Sequence, residues 1–244
     1  MKKITSVLFL FYCFSVGWAQ TVPPCTLEIT DAETFARDWT VIDVNSDVSA
    51  NTWAYNDGNA MYTQDKSNAA DDWLIAPAVT LEAGKAYKVS AYVKHSSTFG
   101  SDKQKIELKI GMAPTVEGLT TRLVYDEFFQ SKLFVEKSGT FSPAESGVFY
   151  VGLHCSSGSY MGDLYFQKIV IEEAPVYPAQ ITDLSIVAGE RGAMSATLSW
   201  TWPSSDHLGG ALSSLSGAKI YRGTDLVATL DTATVGGKAG WIDS

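Results

Sequence analysis

Tyr87-Lys88-Val89-Ser90-Ala91-Tyr92-Val93-Lys94 is the stretch on which the fold turns. Tyr87, Val89, Ala91 and Val93 alternate with Lys88, Ser90, Tyr92 and Lys94, and a period of two residues belongs to a strand with one buried face. The same alternation returns in Ile106, Leu108 and Ile110, set against Lys105, Glu107 and Lys109. It returns again in Phe149, Val151 and Leu153, and in Ile169 and Ile171. Turn-forming clusters separate these runs: Glu82-Ala83-Gly84-Lys85, Gly100-Ser101-Asp102 and Ser156-Ser157-Gly158-Ser159. Helical periodicity is nearly absent; the exception is a single turn from Asp31 to Asp38, which Asp31 would cap. Strands at this spacing, with no helices to cover a parallel sheet, predict an all-β antiparallel sandwich.

Working outward, the first boundary is Glu172-Glu173-Ala174-Pro175-Val176-Tyr177-Pro178. Two prolines three residues apart disfavour both helix and central strand, so 174–178 reads as a linker. A second β pattern follows in Ile181 to Val187, Ala196 to Trp200, Ala218 to Tyr221 and Leu226 to Leu230. The chain thus divides into a sandwich over 20–173 and a second β unit over 179–244. Residues 1–19 have the three parts of a cleavable secretory signal: Lys2 and Lys3, the apolar run Ile4 to Val16, and Gly17-Trp18-Ala19 for the peptidase. The run is shorter than the ~20 residues a spanning helix needs and is soon followed by Pro23-Pro24. Bulky Phe11 and Tyr12 before Cys13 argue against lipidation. No other stretch could span a bilayer, so the expected location is extracellular or on the outer cell surface, with the periplasm as fallback.

The chain carries 18 Lys+Arg against 27 Asp+Glu, a net charge of −9. Cleavage removes two lysines and takes the net charge to about −11, which repels nucleic acid and anionic lipid within a Debye length. Solubility, a cation, or a neutral glycan or protein partner fits such a surface. After cleavage Cys25 and Cys155 remain. Export permits a disulfide between them, but both sit in apolar company where a lone buried thiol is equally at home. Two cysteines without a neighbouring histidine ladder make no zinc site.

Trp53-Ala54-Tyr55, the turn Asn56-Asp57-Gly58-Asn59, and Asp71-Asp72-Trp73-Leu74-Ile75-Ala76-Pro77 lead into Ala78-Val79-Thr80-Leu81, Gly84 and the strand at Tyr87. This order resembles the cleaved-adhesin and choice-of-anchor jelly-roll modules of secreted Bacteroidetes proteins, relatives of the gingipain adhesin repeats, over about residues 27–173. One departure stands out: Leu164-Tyr165-Phe166 is followed by Gln167-Lys168, where that family usually has an acidic pair. Leu198-Ser199-Trp200-Thr201-Trp202-Pro203, Lys219-Ile220-Tyr221-Arg222-Gly223 and Trp241-Ile242-Asp243 are similar to strands of a fibronectin type III domain. Such a domain has seven strands in ~100 residues. The stretch 179–244 is shorter, and reads as a truncated immunoglobulin-like sandwich or as a short atypical one.

Adjacent residues on a strand point to opposite faces, so Asp71 and Trp73 share one face and Asp72 and Leu74 the other. A carboxylate turned inward needs a partner, backbone N–H donors or a cation. The resemblance implies a structural calcium with Asp57, Asp71 and Asp72 as candidate ligands; the alternative is that these acids cap a turn in water. It also implies glycan binding on exposed aromatics, for which Trp53, Tyr55 and Tyr62 near the Asp57 turn are candidates, although most sandwich aromatics are core. No catalytic constellation is visible. His95, His154 and His207 are scattered. His154 and Cys155 are neighbours on a strand and must face opposite ways, so they cannot share a proton. The expected function is therefore a non-catalytic binding or adhesion protein for an extracellular glycan or protein. The alternative is a structural spacer, or accessory modules of a larger secreted protease or glycoside hydrolase whose catalytic domain lies outside this chain.

Overall fold

A computed structural model describes residues 21–45, 51–96 and 102–244; the signal segment 1–19 lies outside them. The first strands are β1 (Cys25–Glu28), β2 (Thr40–Asp43), β3 (Trp53–Asn56), β4 (Asn59–Tyr62), β5 (Asp72–Ile75) and β6 (Val79–Leu81). Six longer strands follow: β7 (Ala86–His95), β8 (Gln104–Gly111), β9 (Thr121–Phe129), β10 (Val135–Phe141), β11 (Gly147–Cys155) and β12 (Leu164–Ala174). Helix α1 (Ala32–Asp38) connects β1 to β2. Its N-cap is Asp31, whose carboxylate accepts from the Thr34 N–H at 2.7 Å, and it buries Phe35.

These strands form two antiparallel six-stranded sheets. The first has the order β10-β7-β12-β4-β3, with β1 also on β12. The second has the order β2-β5-β11-β8-β9, with β6 also on β11. Strict alternation decides what lies between them. Val89, Ala91 and Val93 of β7 and Phe166, Ile169 and Ile171 of β12 meet Leu74 of β5, Leu108 of β8 and Val151 and Leu153 of β11, each at most 2% exposed. Each such aliphatic or aromatic side chain contributes about 1.5–3 kcal/mol when fully buried. Trp39 closes the end of this core, its ring edge-on to Phe166 at 5.3 Å. The antiparallel β-sandwich expected from the alternation, and the jelly-roll type that the resemblance implied, is the observed architecture of 25–174.

β9 and β10 were not singled out by the sequence. Both are edge strands with one half-wet face, and their charges (Arg122, Asp126, Glu127, Glu136, Lys137) interrupt a clean apolar period. The linker is more ordered than its prolines suggest. β12 runs through Ala174, and the Tyr177 carbonyl accepts from the His207 N–H at 2.9 Å. The Ala179 N–H donates to the Ser205 carbonyl at 2.9 Å.

Beyond it, β13 (Ser185–Ala188), β14 (Ala196–Thr201), β15 (Ala218–Arg222), β16 (Asp225–Leu230) and β17 (Lys238–Asp243) follow. They form a three-stranded sheet β13-β14-β17 and a two-stranded sheet β15-β16. Trp200 is 6% exposed and packs edge-on against Trp202 at 5.5 Å.

A disulfide between Cys25 and Cys155 does not form: both thiols are free. Cys25 pairs with Ile171, level with Val89 of β7. The Cys155 thiol donates to the Gln104 carboxamide at 3.2 Å, and Gln104 bonds the Met161 carbonyl that His95 also contacts. Six strand residues separate Val89 from His95, about 20 Å, so the cysteines sit at opposite ends of the sandwich. A disulfide needs its Cα atoms within about 7 Å. Burial pushes the Cys155 thiol up to about 12, leaving it protonated and shielded. Iodoacetamide at about pH 8 is expected to modify Cys155 only after denaturation; peptide mapping of native protein showing modified Cys155 would contradict the closed end described here.

Candidate functional site

Register across the second sheet brings together residues far apart in sequence. Ile42 pairs with Trp73, Trp73 with His154, His154 with Glu107, and Glu107 with Tyr125. Because all five occupy the same level on successive strands, they form one row on the outer face, perpendicular to the strands. At ~4.8 Å per strand, Trp73 and Tyr125 stand about 14 Å apart. The neighbouring level carries Ile75, Gly152, Lys109 and Arg122.

Trp73 lies flat beneath His154, with ring centroids 4.2 Å apart and planes 6° apart. His154 Nε2 is 2.7 Å from Asp71 Oδ1, and its Nδ1 is 3.7 Å from Glu107 Oε2. Glu107 also faces Lys109 at 3.4 Å and Arg122 at 3.5 Å. Tyr125 is 42% exposed. Its ring has Arg122 at 5.2 Å and Lys105 at 5.5 Å, and its hydroxyl donates to Glu127 at 2.5 Å. The row is therefore an aromatic ring at an open edge, followed inward by carboxylates, guanidinium, ammonium and imidazole groups already orienting one another. Such a surface can stack an apolar ring face and exchange hydrogen bonds with several hydroxyls.

The other half of the face is closed. Leu119 packs with Trp73 and Ile75, joined by Ile42, Val116 and Tyr150. Gly152 makes this possible: a Cβ there would stand 2.3 Å from Leu119 Cδ1 and 3.2 Å from Trp73 Cε3. The segment between β8 and β9 is thereby pinned as a wall beside the row.

The sequence-nominated aromatics lie elsewhere. Trp53 and Tyr62 pair across β3 and β4 on the inner face, and each is 2% exposed. Their rings are 6.0 Å apart, and the Trp53 indole N–H donates to the Asp72 carbonyl at 3.3 Å. Tyr55, two residues on, shares that face and packs against the core. The three are core aromatics and present no stacking platform, because the pairing of β4 with β12 turns this hairpin's aromatic face inward.

The proposed metal ligands are likewise not brought together. Asp57 sits at the tip of the β3–β4 hairpin, and Asp71 faces outward to His154. Asp72 faces inward, 1% exposed, with Oδ2 accepting from the Asp71 N–H at 3.1 Å. The split between Asp71 and Asp72 follows strand parity as expected. Among the described residues no group of three His, Cys, Asp or Glu side chains could hold a metal ion, so these three aspartates do not fit a calcium ion as a set. His154 and Cys155 also point apart: the imidazole to the outer face, the thiol into the core. Tyr125, Glu107 and His154, which form this row, were not nominated from the sequence. The available signal was the polar alternation of β8, read only as the wet side of a strand.

The sequence profile of a family described as carbohydrate binding domain matches residues 27–157. No curated protein sequence matches the chain. Among solved structures, the K1 cleaved adhesin domain of Lys-gingipain from Porphyromonas gingivalis W83 is similar at 14% identity. The match covers 62% of this chain and 99% of that one with a TM-score of 0.46. The CBM22-1–GH10 modules of xylanase 10B from Clostridium thermocellum, complexed with xylohexaose, are similar at 19% identity. Here 63% of this chain and 30% of that chain are covered, with a TM-score of 0.37. The C-terminal CBM6 of LamC from Zobellia galactanivorans is similar at 18% identity over 61% of this chain and 99% of its own, with a TM-score of 0.36.

Proposed function

We propose, from the premise that this chain belongs to the carbohydrate binding domain family, that its sandwich binds a glycan along the outer row of the second sheet. The observation that carries this reading is the straight line from Trp73 through His154 and Glu107 to the exposed ring of Tyr125. Tyr125 would take the apolar face of a sugar ring. Glu107 and Asp71 would accept hydrogen bonds from hydroxyls, while Arg122 and Lys109 would donate to ring and hydroxyl oxygens. The groups recognise and hold; none is asked to break a bond. The signal read in residues 1–19 fits a protein working outside the cell, where polysaccharides are met, and no described helix is long and apolar enough to cross a membrane.

The test is titration of the purified protein against a panel of neutral polysaccharides, xylan and β-glucans among them, followed by the Tyr125→Ala and Glu107→Gln variants. Each variant is expected to weaken binding of the best ligand about tenfold or more, which is 1.4 kcal/mol. Tyr125 is an exposed edge residue, so its loss should leave the urea midpoint unchanged. A panel with no ligand, or variants that bind like the parent, would sink the proposal.

A further inference from the structure

The opposite sheet carries a second, differently charged feature at its β7–β10 end. Most cations of the sandwich lean on a carboxylate: Lys85 on Glu173, Lys88 on Glu136, Lys137 on Asp126. Lys94 and Lys132 do not; among the described residues neither forms an ion pair. Both lysines line the same cavity, in a chain with 27 acids to 18 bases. Lys94 instead lies between two aromatic rings, its Nζ 4.5 Å from the Tyr165 centroid and 4.9 Å from that of Phe134. Lys94 and Tyr165 are directly paired residues of β7 and β12, so this arrangement is fixed by sheet register.

Lys94, Lys132 and Tyr165 line one open cavity of about 240 Å³ together with His95 and Ser96. Each lining group has a definite role available. The Ser96 hydroxyl accepts from the Asp163 N–H at 2.7 Å, which leaves its proton free to donate. His95 Nε2 is held at 2.6 Å from the Met161 carbonyl, fixing the cavity floor. The acid that reaches Tyr165 electrostatically is Asp163, and its Oδ1 accepts from the Gln64 N–H at 3.0 Å. The volume is below the ~300 Å³ at which drug-sized pockets begin, which suits a single sugar ring better than a peptide.

We propose that this cavity binds an acidic sugar unit, a pyranose bearing a carboxylate, with the carboxylate between Lys94 and Lys132 and the ring against Tyr165. The overall negative charge of the protein repels a polyanion at long range. Attraction is therefore confined to the two lysines within roughly a Debye length, about 8 Å at physiological salt. The site is separate from the Tyr125 row: it lies on the other sheet and uses none of the same residues.

The probe is polygalacturonate, presented to the full chain by affinity electrophoresis and by titration calorimetry. Binding is expected for the parent protein, to weaken about tenfold or more in Lys132→Gln and in the Lys94→Gln/Lys132→Gln pair, and to persist in Tyr125→Ala. Raising salt from about 50 to 300 mM should weaken it further. Lys132 is fully at the surface, so the single variant stays folded even if the double one does not. No binding, equal binding by Lys132→Gln, or loss in Tyr125→Ala would each overturn the proposal. So would preference for dextran sulfate or for vesicles rich in anionic lipid. Failure here with neutral-glycan binding intact would leave the first site standing.

Discussion

Gly111→Ala is expected to destabilise the sandwich by about 3 kcal/mol or more, read as a fall in the urea midpoint with an unchanged slope. A Cβ on Gly111 would stand 1.8 Å from the Gly118 carbonyl oxygen and 2.8 Å from the Leu119 Cα. Both are backbone atoms, so no side-chain rotation can relieve the clash. The chain leaves β8 at Gly111 and turns back within a few residues, with the Gly118 and Leu119 N–H groups donating to the Thr115 carbonyl at 3.1 Å. Moving Gly118 would lift Leu119 from Trp73 and Gly152 and open the wall beside the outer row. The same variant should therefore also lose glycan affinity. A Gly111→Ala protein with the parent's midpoint would show that this turn has room that the described geometry denies it.

Trp73→Ala is expected to cost about 3–5 kcal/mol, the range for a buried aromatic cut back to methyl. Trp73 is 2% exposed and holds together Ile75, Leu119 and the His154 ring. Its loss removes the surface on which His154 rests, so glycan affinity should fall as well, even at temperatures where the variant remains folded. Trp73→Phe keeps a flat ring and is expected to recover part of both. If Trp73→Ala matched the parent in calorimetric melting, the stacking described here would have no energetic weight.

Much of the fold could be read from strands that alternate cleanly. β7, β8 and β12 each set apolar residues against lysines, serines or glutamates, β11 alternates Phe149, Val151 and Leu153 with Tyr150, Gly152 and His154, and the inward residues of all four are buried as expected. Parity alone also separated Asp71 from Asp72 and His154 from Cys155. Edge strands were harder. β9 places Phe128 and Phe129 side by side, one 68% and the other 3% exposed, and two adjacent aromatics say nothing about which faces inward. The candidate site was harder still. Trp53 and Tyr55, two residues apart on a strand, share a face, but whether that face is wet depends on β4 pairing with β12, about a hundred residues away. Tyr125 and His154 come into line only through the registers of β8 with β9 and β11. Long-range register leaves no local mark in a sequence, which is why the aromatics of β3 and β4 were nominated and this row was not.

The row draws one residue from each strand it crosses, and beside it along β5, β8 and β11 the residues Leu74, Ile106, Leu108, Leu153 and Cys155 point the other way, into the core. Tyr125, Glu107 and His154 can therefore be exchanged without disturbing the aliphatic packing behind them, although Glu107 and His154 are coupled to each other and the buried Trp73 supports the His154 ring. If the row is the glycan surface proposed above, preference for one polysaccharide over another can drift by substitution within it, while the scaffold is held constant by a separate set of residues. Chains that share this scaffold are thus expected to differ most at the positions equivalent to Tyr125, Glu107 and His154, and least at the aliphatic residues between them.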